Sequence, residues 1–256
     1  MLIQSIDRAI AILELFKDHK QLDLSEITEF IGLSKSTIHT IIKALEENRI
    51  LRKDEHTKKY QLGYSILELG LKQLAELDIN NHTNQPLKKL SNDVNKICSL
   101  GIWDSNSILI TMRIDPYFNN AHGFSSVPPV RRKPAYCTSI GKVILAFLPK
   151  EDIDKYLNEV ALRPFTKNTI TDKSKLFEEL VQIKNQGYSI DKKEYVSYMM
   201  SISAPIHGTS GKIEGGISIY SSPDDYDENS LNEFIDPLIR TAYEISIRMG
   251  YQPAPM

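Results

Sequence analysis

Residues 24–63 read LSEITEFIGLSKSTIHTIIKALEENRILRKDEHTKKYQLG, and the order of elements they encode decides the fold. Leu24–Ile31 is a short amphipathic piece, and Gly32 follows it where a left-handed residue ends a helix and turns the chain. Ser34 stands where it caps the next helix, which Ile38, Ile41, Ile42 and Leu45 carry on one apolar face to about Glu47. Ile50–Lys53 and Lys59–Leu62 have strand composition, and Asp54–Lys58 between them reads as the turn of a small hairpin. Working back toward the N-terminus, Ile6, Ile10, Leu13 and Phe16 set a helical stripe from Ser5, its expected N-cap, to about Lys17. Helix, short helix, glycine turn, helix and hairpin in this order predict a winged helix-turn-helix.

The expected exposed face of the third helix holds Ser34, Lys35, Ser36, Thr37, His39, Thr40 and Lys43. These are short donors and acceptors with two cations. A recognition helix uses such groups at its N-terminal end on phosphates and base edges in the major groove. In the hairpin, Lys58 and Lys59 are the cations expected to reach the DNA backbone. Charge gives this reading no help. The chain has a net charge of −2, and residues 1–81 hold eleven Lys/Arg against thirteen Asp/Glu. Glu26, Glu46 and Glu47 must therefore face away from phosphate. The competing reading of the same pattern is a three-helix packing unit with an ordinary solvated polar face.

From Tyr64 to about Ile79, Ile66, Leu67, Leu69, Leu71, Leu74 and Leu77 predict another helix, interrupted by Asn80-Asn81-His82-Thr83-Asn84. The expected division is a DNA-binding domain over 1–63, a linker helix over 64–81 and a second domain over 82–256. The second domain mixes periods of 3.6 and 2. Helices are expected at Leu87–Asn95, Ser139–Leu148, Asp152–Glu159, Lys173–Gln186 and Leu231–Met249. Strands are expected at Ile97–Trp103, Ser107–Arg113, Ser201–His207 and Ile213–Tyr220. Residues 114–135 read as loop with short strands. The class is α+β.

Cys98 and Cys137 sit in no CxxC, and no Cys/His cluster has metal-ligand spacing, so neither a metal nor a cofactor is expected. Both cysteines read as buried small hydrophobes. Asp7 and Glu14 interrupt the apolar start, which argues against a signal peptide, and no apolar run approaches the roughly 18 residues a span needs. A cytoplasmic protein without membrane contact is expected. Catalytic signatures are missing: there is no GxSxG and no HExxH. Val143 follows Gly141-Lys142 where a phosphate-binding loop needs Ser or Thr. Asp225–Asn229 begins with calcium-loop spacing, but Ser230 stands at the required glycine.

The runs SIDRAIAILELF (5–16), GLSKSTIH (32–39) and YQLG (60–63) resemble the N-terminal domain of the isocitrate-lyase-regulator (IclR) family of bacterial transcription factors. The likeness continues through CTSIGKVILAFLP, FTKNTITDKSKLFEELVQIKNQGYSIDKKE, SISAPI and GGISIY, and so covers nearly the whole chain. It implies a regulator of operator DNA acting as a homodimer or dimer of dimers, and a repressor is expected. It also implies a GAF/PAS-like C-terminal domain that binds a small effector such as an organic acid. By position the resemblance carries effector contacts onto Asp191, Ser201, Ser218 and Tyr220.

Four departures stand out: Thr40 where the family commonly has arginine, Ser201 for cysteine, Tyr198 for glycine and Tyr220 for serine. Read from the residues alone, Asp191 equally caps a turn and the serines equally satisfy sheet edges. Arg131-Arg132-Lys133 reads as a solvated loop or as a carboxylate-neutralising patch, and Met199 and Met200 as core or as pocket lining. An enzyme with an assembly domain, or an adaptor with a degenerate winged helix, are the rival classes.

Overall fold

The computed structural model describes residues 3–117, 131–221 and 228–252. The expected loop over 118–130 and the calcium-like spacing at 225–227 lie outside these residues. The chain forms two compact units, Met1–Glu76 and Leu77–Met256.

The first unit runs α1 (Gln4–Leu15), α2 (Leu24–Ile31), α3 (Lys35–Glu47), β1 (Leu51–Lys53), β2 (Tyr60–Leu62) and α4 (Tyr64–Glu76). Ile12, Phe16, Leu22, Ile27, Ile38, Ile42, Leu51 and Tyr60 form its core. Asp23 opens α2 with a capping box: its carboxylate accepts from the N–H groups of Ser25 and Glu26, and its own N–H donates to Glu26 Oε2 at 2.6 Å. Gly32 ends that helix at φ +70°, as the sequence requires. The glycine of YQLG is fixed by packing. A Cβ on Gly63 would sit 2.0 Å from the carbonyl oxygen of Arg49, where the hairpin folds back on the end of α3. Helix α1 departs from expectation. Its N-cap is Ile3, whose carbonyl accepts from Ile6 and Asp7, and Ser5 lies inside the first turn.

The second unit runs α5 (Asp78–Val94), β3 (Ile97–Asp104), β4 (Ser107–Ile114), β5 (Arg131–Pro134), α6 (Ser139–Phe147), α7 (Lys150–Glu159), α8 (Lys173–Gln186), β6 (Ser189–Asp191), β7 (Met200–His207), β8 (Ile213–Ser221) and α9 (Glu228–Arg248). Its antiparallel sheet has the order β5-β4-β3-β8-β7-β6. Helices α5 and α9 cover one face and α6, α7 and α8 the other. The period-2 rule sorts the strands between them. In β7, Ile202, Ala204 and Ile206 join the α5/α9 core, while Ser201 and Ser203 face α6. In β8, Ile217 and Ile219 pair off against Ser218 and Tyr220 in the same way. Among the described residues no helix is long and apolar enough to cross a membrane.

The expected interruption at Asn80–Asn84 is instead the first half of α5. The polar stretch is helical because it is partnered: Asn80 is buried and its Oδ1 accepts from Thr111 Oγ1 at 2.9 Å, while Ile79, Leu87 and Leu90 pack into the core. The helices break at Leu77, and the compact units part between Glu76 and Leu77 rather than at 81/82. Residues 131–134, within the stretch expected as loop with short strands, form edge strand β5, and Ser189–Asp191 adds the opposite edge.

Candidate functional site

Helix α3 is anchored from below by Ile38 and Ile42, both fully buried, which turns the opposite face to solvent. Ser34 is its N-cap, with Oγ accepting from Thr37 N–H at 3.2 Å and lying 2.8 Å from Thr37 Oγ1 and 3.0 Å from Ser36 Oγ. The hydroxyls of Ser34 and Thr37 are thus engaged in the cap. Lys35, Ser36, His39, Thr40 and Lys43 are exposed along the outer face, and Thr40 Oγ1 donates back to Ser36 O at 3.0 Å. The first-turn N–H groups of α3 lie at the same end, and such groups favour phosphate.

In the hairpin, Asp54 Oδ1 accepts from the N–H groups of His56 (3.0 Å) and Thr57 (2.7 Å), and Lys58 holds φ +59° at the exposed tip. Lys59 does not reach outward with Lys58. Its Nζ lies 3.1 Å from Glu26 Oε2, which ties the hairpin to α2 and offsets the charge of that acid. Arg52 and Lys53, cations outside the expected pair Lys58 and Lys59, are exposed on β1, lying over the Tyr64 and Tyr60 rings. The signal was present, since in a strand of three residues only Leu51 is buried and the two cations that follow it are left exposed.

In the second unit a small cavity lies between the start of α6, β6, β8 and the segment that joins β6 to β7. Lys133, Thr138, Ser139, Asp191, Tyr195, Met199, Ser201 and Tyr220 are among its lining residues, around a volume of about 10 Å3. Asp191, Ser201 and Tyr220 therefore come together as expected, but Ser218 does not line the cavity. It stands behind Ser201 in a buried chain of hydroxyls. Ser218 Oγ lies 2.6 Å from Ser203 Oγ, Ser203 donates to Ser139 Oγ at 2.7 Å, and Ser139 lies 2.6 Å from Ser201 Oγ. Ser189 Oγ donates to Ser139 O at 2.6 Å. These serines satisfy one another in the interior and serve no sheet edge. Asp191 does cap a turn, accepting from Glu194 N–H at 2.6 Å, while its carboxyl also faces the cavity.

Lys133 is the residue whose place the sequence concealed. In the basic triplet, Arg131 is exposed and Arg132 pairs with Asp104 at the surface, but β5 turns Lys133 inward. Its Nζ stands 4.9 Å above the Tyr220 ring and 5.7 Å from that of Tyr195, and 3.5 Å from Tyr220 Oη, which also bonds Ser99 Oγ at 2.9 Å. Thr138 caps α6, accepting from Gly141 N–H at 3.2 Å, so the first turn of that helix borders the cavity beside the Lys133 ammonium. Together they give one wall a positive potential. Gly141 makes the approach possible: a Cβ there would meet Ala135 O at 2.2 Å. Asp191 balances this wall from across the cavity. Burial pushes its carboxyl up to about 6, against the pull of backbone N–H groups and of Lys142 and Lys133.

Next to the cavity lies the second half of the GK pair. Lys142 is fully buried, and its ammonium donates to Glu179, to Glu194 Oε1 at 2.5 Å and to Ile190 O at 2.9 Å. Burial alone lowers the pKa of Lys142, and Glu194 and Glu179 reverse this. Glu194 carries the opposite strain: burial pushes it up to about 7 despite Lys142, and its Oε2 lacks a hydrogen-bond partner among the described residues. Cys98 and Cys137 are buried thiols that burial pushes well above the usual range, which gives neither the exposed thiolate of a redox sensor.

Residues 5–55 match the IclR helix-turn-helix domain, and residues 71–247 match the family described as bacterial transcriptional regulator IclR C-terminal. The HTH-type transcriptional regulator KdgR of Escherichia coli (strain K12) is 27% identical over 253 residues, which span 99% of this chain and 95% of that protein. The crystal structure of the Thermotoga maritima IclR superposes with a TM-score of 0.77 at 28% identity, covering 98% of this chain and all of that one. An IclR homolog from Microbacterium hydrocarbonoxydans, crystallised with 4-hydroxybenzoate, has a TM-score of 0.81 at 20% identity over 96% of this chain and 98% of its own, a likeness of fold. These relatives are regulators rather than enzymes. With both of its domains matched in order, the chain belongs to the IclR family of bacterial transcriptional regulators.

Proposed function

We propose that this regulator represses by laying α3 in the major groove of operator DNA, and that a small carboxylate bound in the α6/β6/β8 cavity controls its hold. The observation that carries the DNA half is the outward face of α3. Its exposed Lys35, Ser36, His39, Thr40 and Lys43 stand on the buried pair Ile38 and Ile42, with the wing cations Arg52, Lys53 and Lys58 on the adjoining hairpin. With Thr40 in place of arginine, base reading falls to Lys35, Ser36 and His39, and Lys43 and the wing hold phosphates.

The carboxylate half rests on the positive wall made by Lys133 and the first turn of α6. Asp191, Ser201 and Tyr220 offer acceptors and donors to hydroxyl groups on the rest of the ligand, with Ser218 supporting Ser201 through Ser203 and Ser139. The ligand can act only through a difference in affinity for the DNA-competent and incompetent states. Two copies of the chain are proposed to pair through α1 and α4, where Ile3, Ile6, Ile10, Leu67 and Leu71 leave an apolar surface exposed. Sedimentation equilibrium reads this directly: L67E/L71E shifts the protein to monomer, and an unchanged dimer refutes it.

The functional test is fluorescence anisotropy of a labelled duplex from the region upstream of the gene, with excess random DNA as competitor. A panel of small hydroxy-, keto- and aromatic carboxylates, 4-hydroxybenzoate included, is then added. Competitor-resistant binding released by at least one carboxylate is expected. Binding no tighter to this duplex than to random DNA would end the proposal.

A further inference from the structure

A cavity of about 10 Å3 has room for little more than one water molecule, so any organic ligand requires its walls to part. Of those walls, α6, β6 and β8 are regular elements in the packed core. The wall that differs is the irregular segment 192–199, which supplies Tyr195, Val196 and Met199. Beyond it, between α8 and β6, is an open groove of about 680 Å3 lined by Glu179, Ile190, Lys192 and Glu194 among others. Residues of this part of the chain thus line both spaces. Asp191, Tyr195 and Val196 look into the closed cavity, and Ile190, Lys192 and Glu194 into the groove.

Side chains of 166–169 tie the segment by its backbone carbonyls. Thr166 Oγ1 donates to Lys193 O at 2.6 Å, Thr169 Oγ1 to Glu194 O at 2.6 Å and Asn168 Nδ2 to Lys192 O at 2.9 Å. Lys193 is held at φ +65°, a conformation that side-chain-bearing residues adopt only under constraint. Further ties are the Glu194 N–H on Asp191 Oδ1 at 2.6 Å, the Tyr195 ring against Phe165 and under the Lys133 ammonium, and the Glu194 carboxyl on Lys142.

We propose that residues 192–199 form a strap over the effector cavity, that Glu194 on Lys142 is its latch, and that the cavity opens when Glu194 is drawn out of its buried site toward the α8/β6 groove. This rests on the reading of the cavity as the effector site. The latch is charge-sensitive because one buried ammonium serves too many acids. Facing Glu194 are Lys142 from α6, Glu179 from α8 and Asp191 from β6, with Cys137 ahead of α6 and Lys133 on β5 acting on the same cluster. With all three carboxyls ionised, the cluster holds a net negative charge, with Glu194 and Asp191 away from water and Glu179 part-exposed.

The sign follows from linkage. Burial raises Glu194 to about 7, above its solvated value of 4.5, so the closed strap binds the proton more tightly than the open one. Opening releases that proton, and it becomes easier as pH rises through 7. Between pH 6 and 8 this amounts to about a tenfold increase in the opening constant, with about twofold more from Asp191.

Hydrogen exchange by mass spectrometry on the full-length chain, without ligand, reads the opening constant of 192–199 separately from those of α6 and β7. After correction for the intrinsic pH dependence, wild type is expected to show the tenfold or greater rise from pH 6 to 8 in the strap alone. E194Q keeps the shape but cannot titrate, so it should flatten the rise to about twofold. T169V cuts a different tie; it should speed exchange of the strap at both pH values and leave the rise intact. The proposal is overturned if the wild-type strap shows no pH dependence beyond that of α6 and β7, or if E194Q retains the wild-type slope. It is also overturned if T169V leaves strap exchange unchanged. If the strap behaves as stated and no carboxylate binds, the effector reading fails alone and the strap stands.

Discussion

Replacing Lys142 by methionine removes the one buried cation among the described residues of the second unit and leaves the packing volume nearly unchanged. The side chain is fully buried and makes three hydrogen bonds, to Glu179, Glu194 and Ile190 O. Glu179 is part-exposed and can turn to water, whereas the Glu194 side chain is only 6% exposed and is stranded. Breaking a buried pair by removing one partner costs about 3–5 kcal/mol, mostly the penalty on the charge left behind. With a urea m-value of about 2 kcal/mol/M, the midpoint should fall by roughly 1.5–2.5 M. The assay comes with the protein: Trp103 is its single tryptophan, and it packs against Tyr156 in the same α6–α8 core, so its fluorescence reports unfolding of this layer. The loss must also depend on pH. In K142M the stranded Glu194 escapes its penalty by taking a proton, and its raised pKa means that the stability gained this way is present at low pH and lost as pH rises. The deficit should therefore be smaller at pH 6 than at pH 8. A midpoint within about 0.5 M of wild type, or a deficit that grows toward pH 6, would refute the account of this triad.

Two further outcomes follow from the same geometry. S203A removes the hydroxyl that links Ser218 to Ser139 in the buried chain; a loss of about 1–3 kcal/mol is expected by the same denaturation assay, and a neutral result would mean the chain carries no net stability. K133M deletes the ammonium of the cavity's positive wall. Any carboxylate found to bind should lose about 10–100-fold in affinity by calorimetry, while binding of the duplex in the ligand's absence stays within twofold.

The winged helix was legible because each of its signals is local. Gly32 at positive φ, the Ser34 cap and the Ile38/Ile42 stripe are decided within one or two turns of chain, and the structure has them where the sequence puts them. Expectations failed where a distant partner decides. Asn80 looks like linker until Thr111, 31 residues on, donates to its buried amide oxygen. Lys59 looks like a free cation until Glu26 takes it, and Lys133 looks solvated until the β4–β5 pairing turns it inward. Ser218 shows the limit of positional transfer: it lies in the strand the family pattern marks, but Ser203 comes between it and the cavity side. The segment 192–199 carries no periodic signal at all, and only the two spaces on either side of it give it a meaning.

That α3 holds DNA is central to the proposed function, and the salt dependence of binding tests it most directly. Each lysine that neutralises a phosphate contributes about 0.9 to the slope of log affinity against log salt. Anisotropy titrations of the upstream duplex over a series of salt concentrations should give competitor-resistant binding by wild type. A K43A dimer, losing one contact per protomer, should show a slope smaller by about 1.8 with its fold intact. An unchanged slope and affinity in K43A, with K35A equally silent, would contradict the account.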